Sequence, residues 1–222
     1  ASDVYKRQEM NIYCGTYEDI ADSDVIVVAA GLGRKPGETR LDLATKNVSI
    51  AKDVAANIMK HYNGGVILVV ANPVDVLTYV IQKETGLPTG RVFGTGAVLD
   101  SARFRYLLGE KIGVDVKNIH GFIAGEHGDS QMVPWSRVTV GGKTFAEVLR
   151  DNPGRFEGVD LDRLVHDTVQ AGWEILKRKG TTYYGIATTA AGIIKCILHD
   201  ENRIIPVSTP VSYTHLTLPT NS

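Results

Sequence analysis

Two apolar runs constrain this chain more than anything else in it. "DVIVVAA" (Asp24 to Ala30) and "GGVILVVANP" (Gly64 to Pro73) are short, rich in β-branched residues and closed by glycine or Asn-Pro. Such runs mark strands buried on both faces of a parallel sheet. Between them, from Leu41 to Tyr62, the pattern changes period. Leu43, Val48, Ile50, Ala51, Val54, Ile58 and Met59 recur at three-to-four spacing, which makes an amphipathic helix. A second helix, "VDVLTYVIQKETG", closes on Gly86, and "RVFGTG" (Arg91 to Gly96) reads as a further strand. "NIYCG" (Asn11 to Gly15) reads as another. Asp100 is placed to cap the helix "SARFRYLLGEKIG" (Ser101 to Gly113). Strand and helix in alternation predict βαβ units and a parallel sheet, an α/β fold.

In such sheets ligands bind beyond the carboxyl ends of the strands. The loops after Ala30, after Val70 and near Asp100 all fall on that rim. The first is unusual: "GLGRKPGETR" (Gly31 to Arg40) sets Arg34, Lys35 and Arg40 on a loop stiffened by Pro36. That is either solvated surface or a place to hold an anion.

After Asp115 the texture shifts. "NIHGFIAGEHGDS" (Asn118 to Ser130) is a strand entering a polar loop. "RVTVGGKTF" (Arg137 to Phe145) reads as a hairpin turning on Gly-Gly. Helices over Leu161 to Lys179 and Tyr184 to Leu198 follow, then a strand candidate, "RIIPVS". The expected division is 9–114 for the parallel-sheet part and 115–210 for an α+β part. Residues 1–8 and 211–222 fit neither neighbour in pattern and read as non-native tails.

The net charge of -1 gives no electrostatic case for nucleic acid or an anionic membrane. No apolar run reaches the ~20 residues that span a bilayer. "ASDVYKRQEM" has charges but no apolar signal-peptide core. Cys14 and Cys196 lie far apart and show no metal-ligand spacing, so no metal is expected and a reducing, cytoplasmic setting suits the chain.

In "GEHGDS" (Gly125 to Ser130), His127 lies in a loop that ends a strand. A histidine titrates near neutral pH and needs a carboxylate to fix its tautomer. Asp129, two residues away, is badly placed for that, and Asp100 at a helix start is better.

"AAGLGRKPGETRLDL", "VVANPVDVLTY", "GTGAVLDSARFRYLL", "GEHGDS" and "KGTTYYGIA", in this order, resemble the L-lactate and malate dehydrogenase superfamily. The resemblance is strongest to its bacterial lactate branch and covers nearly all of Asn11 to Ser208. It implies a truncated Rossmann-type parallel sheet followed by an α+β substrate domain, and an NAD-dependent oxidoreductase of fermentative glycolysis. The substrate is a small 2-oxo or 2-hydroxy acid. It assigns His127 to proton transfer, Asp100 to orienting it, and Arg103 to gripping the substrate carboxylate. Arg40 matches the loop arginine that polarises the carbonyl. Asn72 matches an amide touching substrate and nicotinamide, and Thr182 a residue lining the pocket for the substrate's side group. Gly31, Leu32, Val70, Ala71, Asn72 and Thr95 match cofactor contacts. Arg105 and His120 match positions at which many bacterial members bind fructose 1,6-bisphosphate, within an allosteric homotetramer.

Two points depart from the pattern. The family's opening strand, G-x-G-x-x-G turn and helix are not in this sequence, and "GLGRKPG" is no substitute. The substrate domain is likewise truncated, and the chain by itself is expected to bind cofactor poorly. Arg34 occupies the loop position that faces the substrate's third carbon. There the resemblance implies glutamine for pyruvate and arginine for oxaloacetate. Arg34 thus favours malate, while "GETRLDL", "TTYYGIA" and the Arg105 and His120 pair favour lactate.

Overall fold

The computed structural model describes residues 11–33, 40–156 and 158–210, with Arg40 and Leu41 described by backbone alone. Strand β1 (Val25–Val28) leads to helix α1 (Arg40–His61), β2 (Val66–Val69), α2 (Val74–Thr85) and β3 (Val92–Gly94). The three strands are parallel in the order β1-β2-β3. Because the order never reverses, both crossovers have the same hand and both helices fall on one face. Ile26, Val28, Ile67, Val69 and Val92 pack there against Ala51, Ala55 and Ile58 of α1 and Val74, Leu77 and Ile81 of α2.

The second half begins with α3 (Val98–Ile112). An antiparallel sheet follows, of β4 (Ile119–His120), β5 (Thr139–Val140) and β6 (Lys143–Thr144), then α4 (Phe145–Asp151), α5 (Leu161–Lys179) and α6 (Tyr184–Leu198). The β5–β6 turn is the expected Gly-Gly hairpin. Gly141 and Gly142 have φ of 57° and 86°, a pair of left-handed residues that L side chains rarely adopt. Thr144 and Glu147 form a capping box that starts α4 at once. Phe104, Leu108 and Ile112 of α3 belong to the core of this half, with Ile119, Val138, Val140, Phe145 and Leu164. The architecture is thus the expected α/β one, a parallel sheet continued by an α+β unit.

Four local expectations are corrected. Asn11–Gly15 forms no strand: Thr16 and Asp19 make a capping box that opens a 3-10 turn, Tyr17–Asp22, and the Asp19 carboxylate occupies the space beside Gly15. β1 is not buried on both faces, since Val27 is 43% exposed. "RIIPVS" makes one bridge, Gly94 with Ser208, and no ladder. Pro206 has no N–H to give a neighbouring strand, and Ile204 stands free in solvent. Asp100 is not the cap of α3. The helix starts three residues earlier, after Ala97, leaving Asp100 in its first turn with its carboxylate free for other partners.

Candidate active site

The parallel strands end in register, Val28 beside Val69 beside Gly94, so the loops that follow leave from one edge. The side chain that ties two of them together is Asn47 of α1, fully buried. Its Oδ1 accepts the Leu32 N–H at 2.8 Å. Its Nδ2 donates to the Leu32 carbonyl at 3.2 Å and to the Asn72 carbonyl at 2.7 Å. A Cβ on Gly31 would stand 3.3 Å from the Ala71 methyl and 3.5 Å from Asn47 Nδ2. Gly31, Leu32, Ala71 and Asn72 therefore meet as one surface, with Val70 bonded to the Val28 carbonyl at 2.9 Å. Thr95 is buried, its N–H on the Val69 carbonyl at 2.9 Å. Leu32 and Asn72 are exposed at the mouth. Asn47 escaped the sequence reading. Its signal was a polar residue at four-residue spacing between Leu43 and Ala51, on the buried stripe of the helix.

Asp100 is 2% exposed, and its two oxygens divide their work. Oδ2 lies 2.6 Å from His127 Nδ1, and Oδ1 accepts from Arg103 NH1 at 3.2 Å. A carboxylate only accepts, so Nδ1 carries the ring hydrogen and Nε2 is left to give or take a proton. The bond to Asp100 raises the His127 pKa. Burial works against this, the Asp100 and Asp75 charges add to it, and Arg103 opposes it. The loop carrying His127 is held at both ends. The Ile123 N–H donates to Ser101 Oγ on α3 at 2.8 Å, and Ala124 and Met132 bridge across its base.

Arg103 also faces α5. A Cβ on Gly172 would lie 3.5 Å from Arg103 NH1, at ordinary contact distance, so the guanidinium packs close to the α5 backbone there. Arg103, Leu99, Ile175, Lys179, Thr182 and Ile186 line a cavity of ≈ 300 Å³, which brings Thr182 to the Arg103 side of the site. Arg105 turns away from it and donates to the Gly121 carbonyl at 3.0 Å, next to exposed His120 at the end of β4. Burial lowers the Arg105 pKa, and so does Arg203 nearby. Arg34 lies outside the described residues, and so does the Arg40 side chain.

Residues 2–94 match the family model for the lactate/malate dehydrogenase NAD binding domain, and residues 97–216 match that for its alpha/beta C-terminal domain. The chain belongs to the lactate/malate dehydrogenase family. Among curated relatives, L-lactate dehydrogenase 3 of Bacillus anthracis is 48% identical over 197 residues, 89% of this chain and 62% of the relative. L-lactate dehydrogenase of Thermoanaerobacterium saccharolyticum is 46% identical over 206 residues, 92% of this chain and 66% of the relative. The chain thus spans less than two thirds of the length of these dehydrogenases. Among solved structures, an L-lactate dehydrogenase from Clostridium thermocellum is 53% identical with a TM-score of 0.78, covering 89% of this chain and 62% of that one. The ligand-bound minor L-lactate dehydrogenase of Enterococcus mundtii is 41% identical with a TM-score of 0.88, covering 95% of this chain and 67% of that one.

Proposed function

We propose that this chain is part of an NAD-dependent L-lactate dehydrogenase, with His127 as its acid/base. The observation that carries the reading is the shared carboxylate of Asp100, which holds the His127 ring at 2.6 Å and the Arg103 guanidinium at 3.2 Å. A proton carrier and a carboxylate binder are thereby fixed at one place. The overall reaction is pyruvate plus NADH plus a proton, giving L-lactate plus NAD.

Each residue has a physical task. The planar guanidinium of Arg103 takes the substrate carboxylate through paired bonds, which sets the angle of the adjacent carbonyl. His127 Nε2 delivers its proton to the carbonyl oxygen, and Asp100 keeps Nδ1–H in place while the ring changes charge. The raised pKa keeps a larger share of His127 protonated near neutral pH, the state that pyruvate reduction requires. Thr182 closes the pocket around the substrate's side group. Arg40 supplies positive charge to the carbonyl oxygen as water leaves.

The cofactor fits one side of this surface. Gly31, bare of a side chain, lies against the Ala71 methyl, which leaves the backbone of Gly31 and Leu32 open to the cofactor's adenosine and pyrophosphate, with Val70, Ala71, Asn72 and Thr95 toward the nicotinamide. When bound, the dinucleotide supplies or accepts the hydride. The glycine-rich turn that would cradle its pyrophosphate is not in this sequence.

The lactate reading is supported by relatives that carry that name at 45–48% identity. Malate dehydrogenase rests on Arg34 alone. Assembly as a homotetramer, activation by fructose 1,6-bisphosphate through Arg105 and His120, and a cytoplasmic setting belong to the same proposal. The test is NADH oxidation by the full-length protein that contains this chain, with pyruvate and with oxaloacetate. Pyruvate is expected to be preferred, and Arg34→Gln is expected to strengthen that preference. An oxaloacetate preference of about a hundredfold overturns the lactate reading. His127→Gln should lower kcat by roughly 10²–10⁴-fold.

A further inference from the structure

Asp75 is the second residue of α2, where a carboxylate ordinarily serves the helix N-terminus. Here both oxygens are committed elsewhere. Oδ2 accepts the backbone N–H of His127 at 2.7 Å, across 52 positions of sequence. Oδ1 accepts the hydroxyl of Ser208, across 133 positions. Ser208 is in turn fixed to the sheet, exchanging both backbone bonds with Gly94 at the end of β3, at 2.8 and 3.1 Å. Three segments remote in sequence thus converge on one side chain, and one of them is the histidine of the proposed reaction.

The consequence for His127 is geometric. Asp100 holds its ring from α3, and Asp75 holds its main chain from α2. Ser101 anchors the loop four residues upstream through Ile123. With the backbone N–H pinned, the main chain from which the ring reaches Asp100 is held in place. Electrostatically, His127 faces Asp100 and Arg103 from α3 and Asp75 from α2, and Glu126 and Asp129 are its neighbours in the loop sequence. Asp75 and Glu126 also border a cavity of ≈ 400 Å³, so solvent weakens the Asp75 field without abolishing it.

We propose that Asp75 is a positioning residue for His127, locking the histidine's backbone to α2 and, through Ser208, to β3, and setting a second negative charge beside the ring. This deepens the acid/base reading of His127 and rests on it.

Asp75→Asn keeps an oxygen for the His127 N–H and removes the charge. Asp75→Ala removes both. The readouts are the NMR titration of the labelled His127 ring and the exchange rate of its amide, neither of which needs turnover. In Asp75→Asn the ring midpoint is expected to fall by about half a pH unit, with amide exchange unchanged. In Asp75→Ala the midpoint falls likewise, and the amide exchanges at least about tenfold faster. The backbone amide signals of α5, remote from Asp75, should be unchanged in both variants and report that the fold is intact.

If Asp75→Ala does not fold, Asp75→Asn decides alone. A His127 midpoint that stays where it was in Asp75→Asn overturns the proposal. A shifted midpoint in a protein that reduces no 2-oxo acid keeps the Asp75 assignment and removes the catalytic reading instead. In an active enzyme, Asp75→Asn is expected to move the alkaline limb of kcat to lower pH with little change in KM.

Discussion

The two cores beneath the site are built from different materials. The first, between the parallel sheet and α1 and α2, is aliphatic: its buried members are isoleucine, valine, leucine and alanine. The second is organised by aromatic rings. Phe104 meets Trp135 edge-on with centroids 5.6 Å apart, Trp135 stacks on Phe145 at 5.0 Å, and Phe145 meets Phe156 edge-on at 5.9 Å. Aliphatic cores tolerate exchange among similar volumes, whereas paired rings fix both distance and angle. The division matches what each half gives the site. The parallel half offers mostly backbone and loop surface at Gly31, Ala71 and Thr95. The aromatic half sits directly under the side chains whose angles matter, because Asp100 and Arg103 leave α3 within a turn of Phe104.

Breaking the ladder should therefore do more than destabilise. Phe104→Ala is expected to cost about 3–5 kcal/mol, read from the urea midpoint. It should also lower the His127 titration midpoint, because α3 loses the contact that orients Asp100. Ile67→Val, fully buried in the first core, should cost only about 0.5–1.5 kcal/mol and leave His127 untouched. Equal disturbance of His127 by the two changes would erase the distinction between the cores.

A second test separates the pair from its support. The folded protein binds the His127 proton more tightly than the unfolded chain does, because its pKa is raised. The stabilisation from protonated His127 is therefore fully present below about pH 6.5, the unfolded value, and is lost as pH rises through the folded one. Asp100→Asn removes the main cause of the shift. The variant should lose that fall in stability on the alkaline side, as measured by urea unfolding across the neutral range. A variant with the same pH slope as the parent would show that Asp100 does not hold the proton.

What was legible in the sequence follows from which forces are local. Period and burial fix β1, β2, the hairpin at Gly141 and Gly142, and α1, α2, α3, α5 and α6, so these are readable from short windows. "RIIPVS" misled because its apolar pattern outweighed Pro206, which forbids the ladder. Acids favour helix starts, so Asp100 reads as a cap, yet its partners are Arg103 one turn on and, across the fold, His127 27 residues away. Asn47 and Asp75 were passed over for the same reason. Their bonds reach segments 15, 25, 52 and 133 positions distant, and no local pattern encodes such a meeting. The resemblance supplied His127, Asp100 and Arg103 as a set, and the structure brings those three together.

The smallest expected effect lies at the far wall of the Arg103 cavity, where the aromatic half continues by another means. Lys179 ends α5, and Gly180, with φ of 77°, turns the chain toward Thr182. Lys179 Nζ then sits 4.2 Å from the Tyr183 ring centroid and 4.0 Å from that of Tyr184, clasping the turn from both sides. An exposed contact of this kind contributes roughly 0.5–1 kcal/mol, enough to bias one short turn and too little to hold a domain. Lys179→Ala should lower stability by about that amount, while Lys179→Arg, which keeps a cation over the rings, should restore it. If the clasp fixes Thr182, Lys179→Ala should also narrow the discrimination between 2-oxo acids of different side-chain length, with kcat for the smallest little changed. Unchanged discrimination would mean that the turn is held by Gly185, whose missing side chain lets α6 approach Leu99 of α3, and not by the lysine.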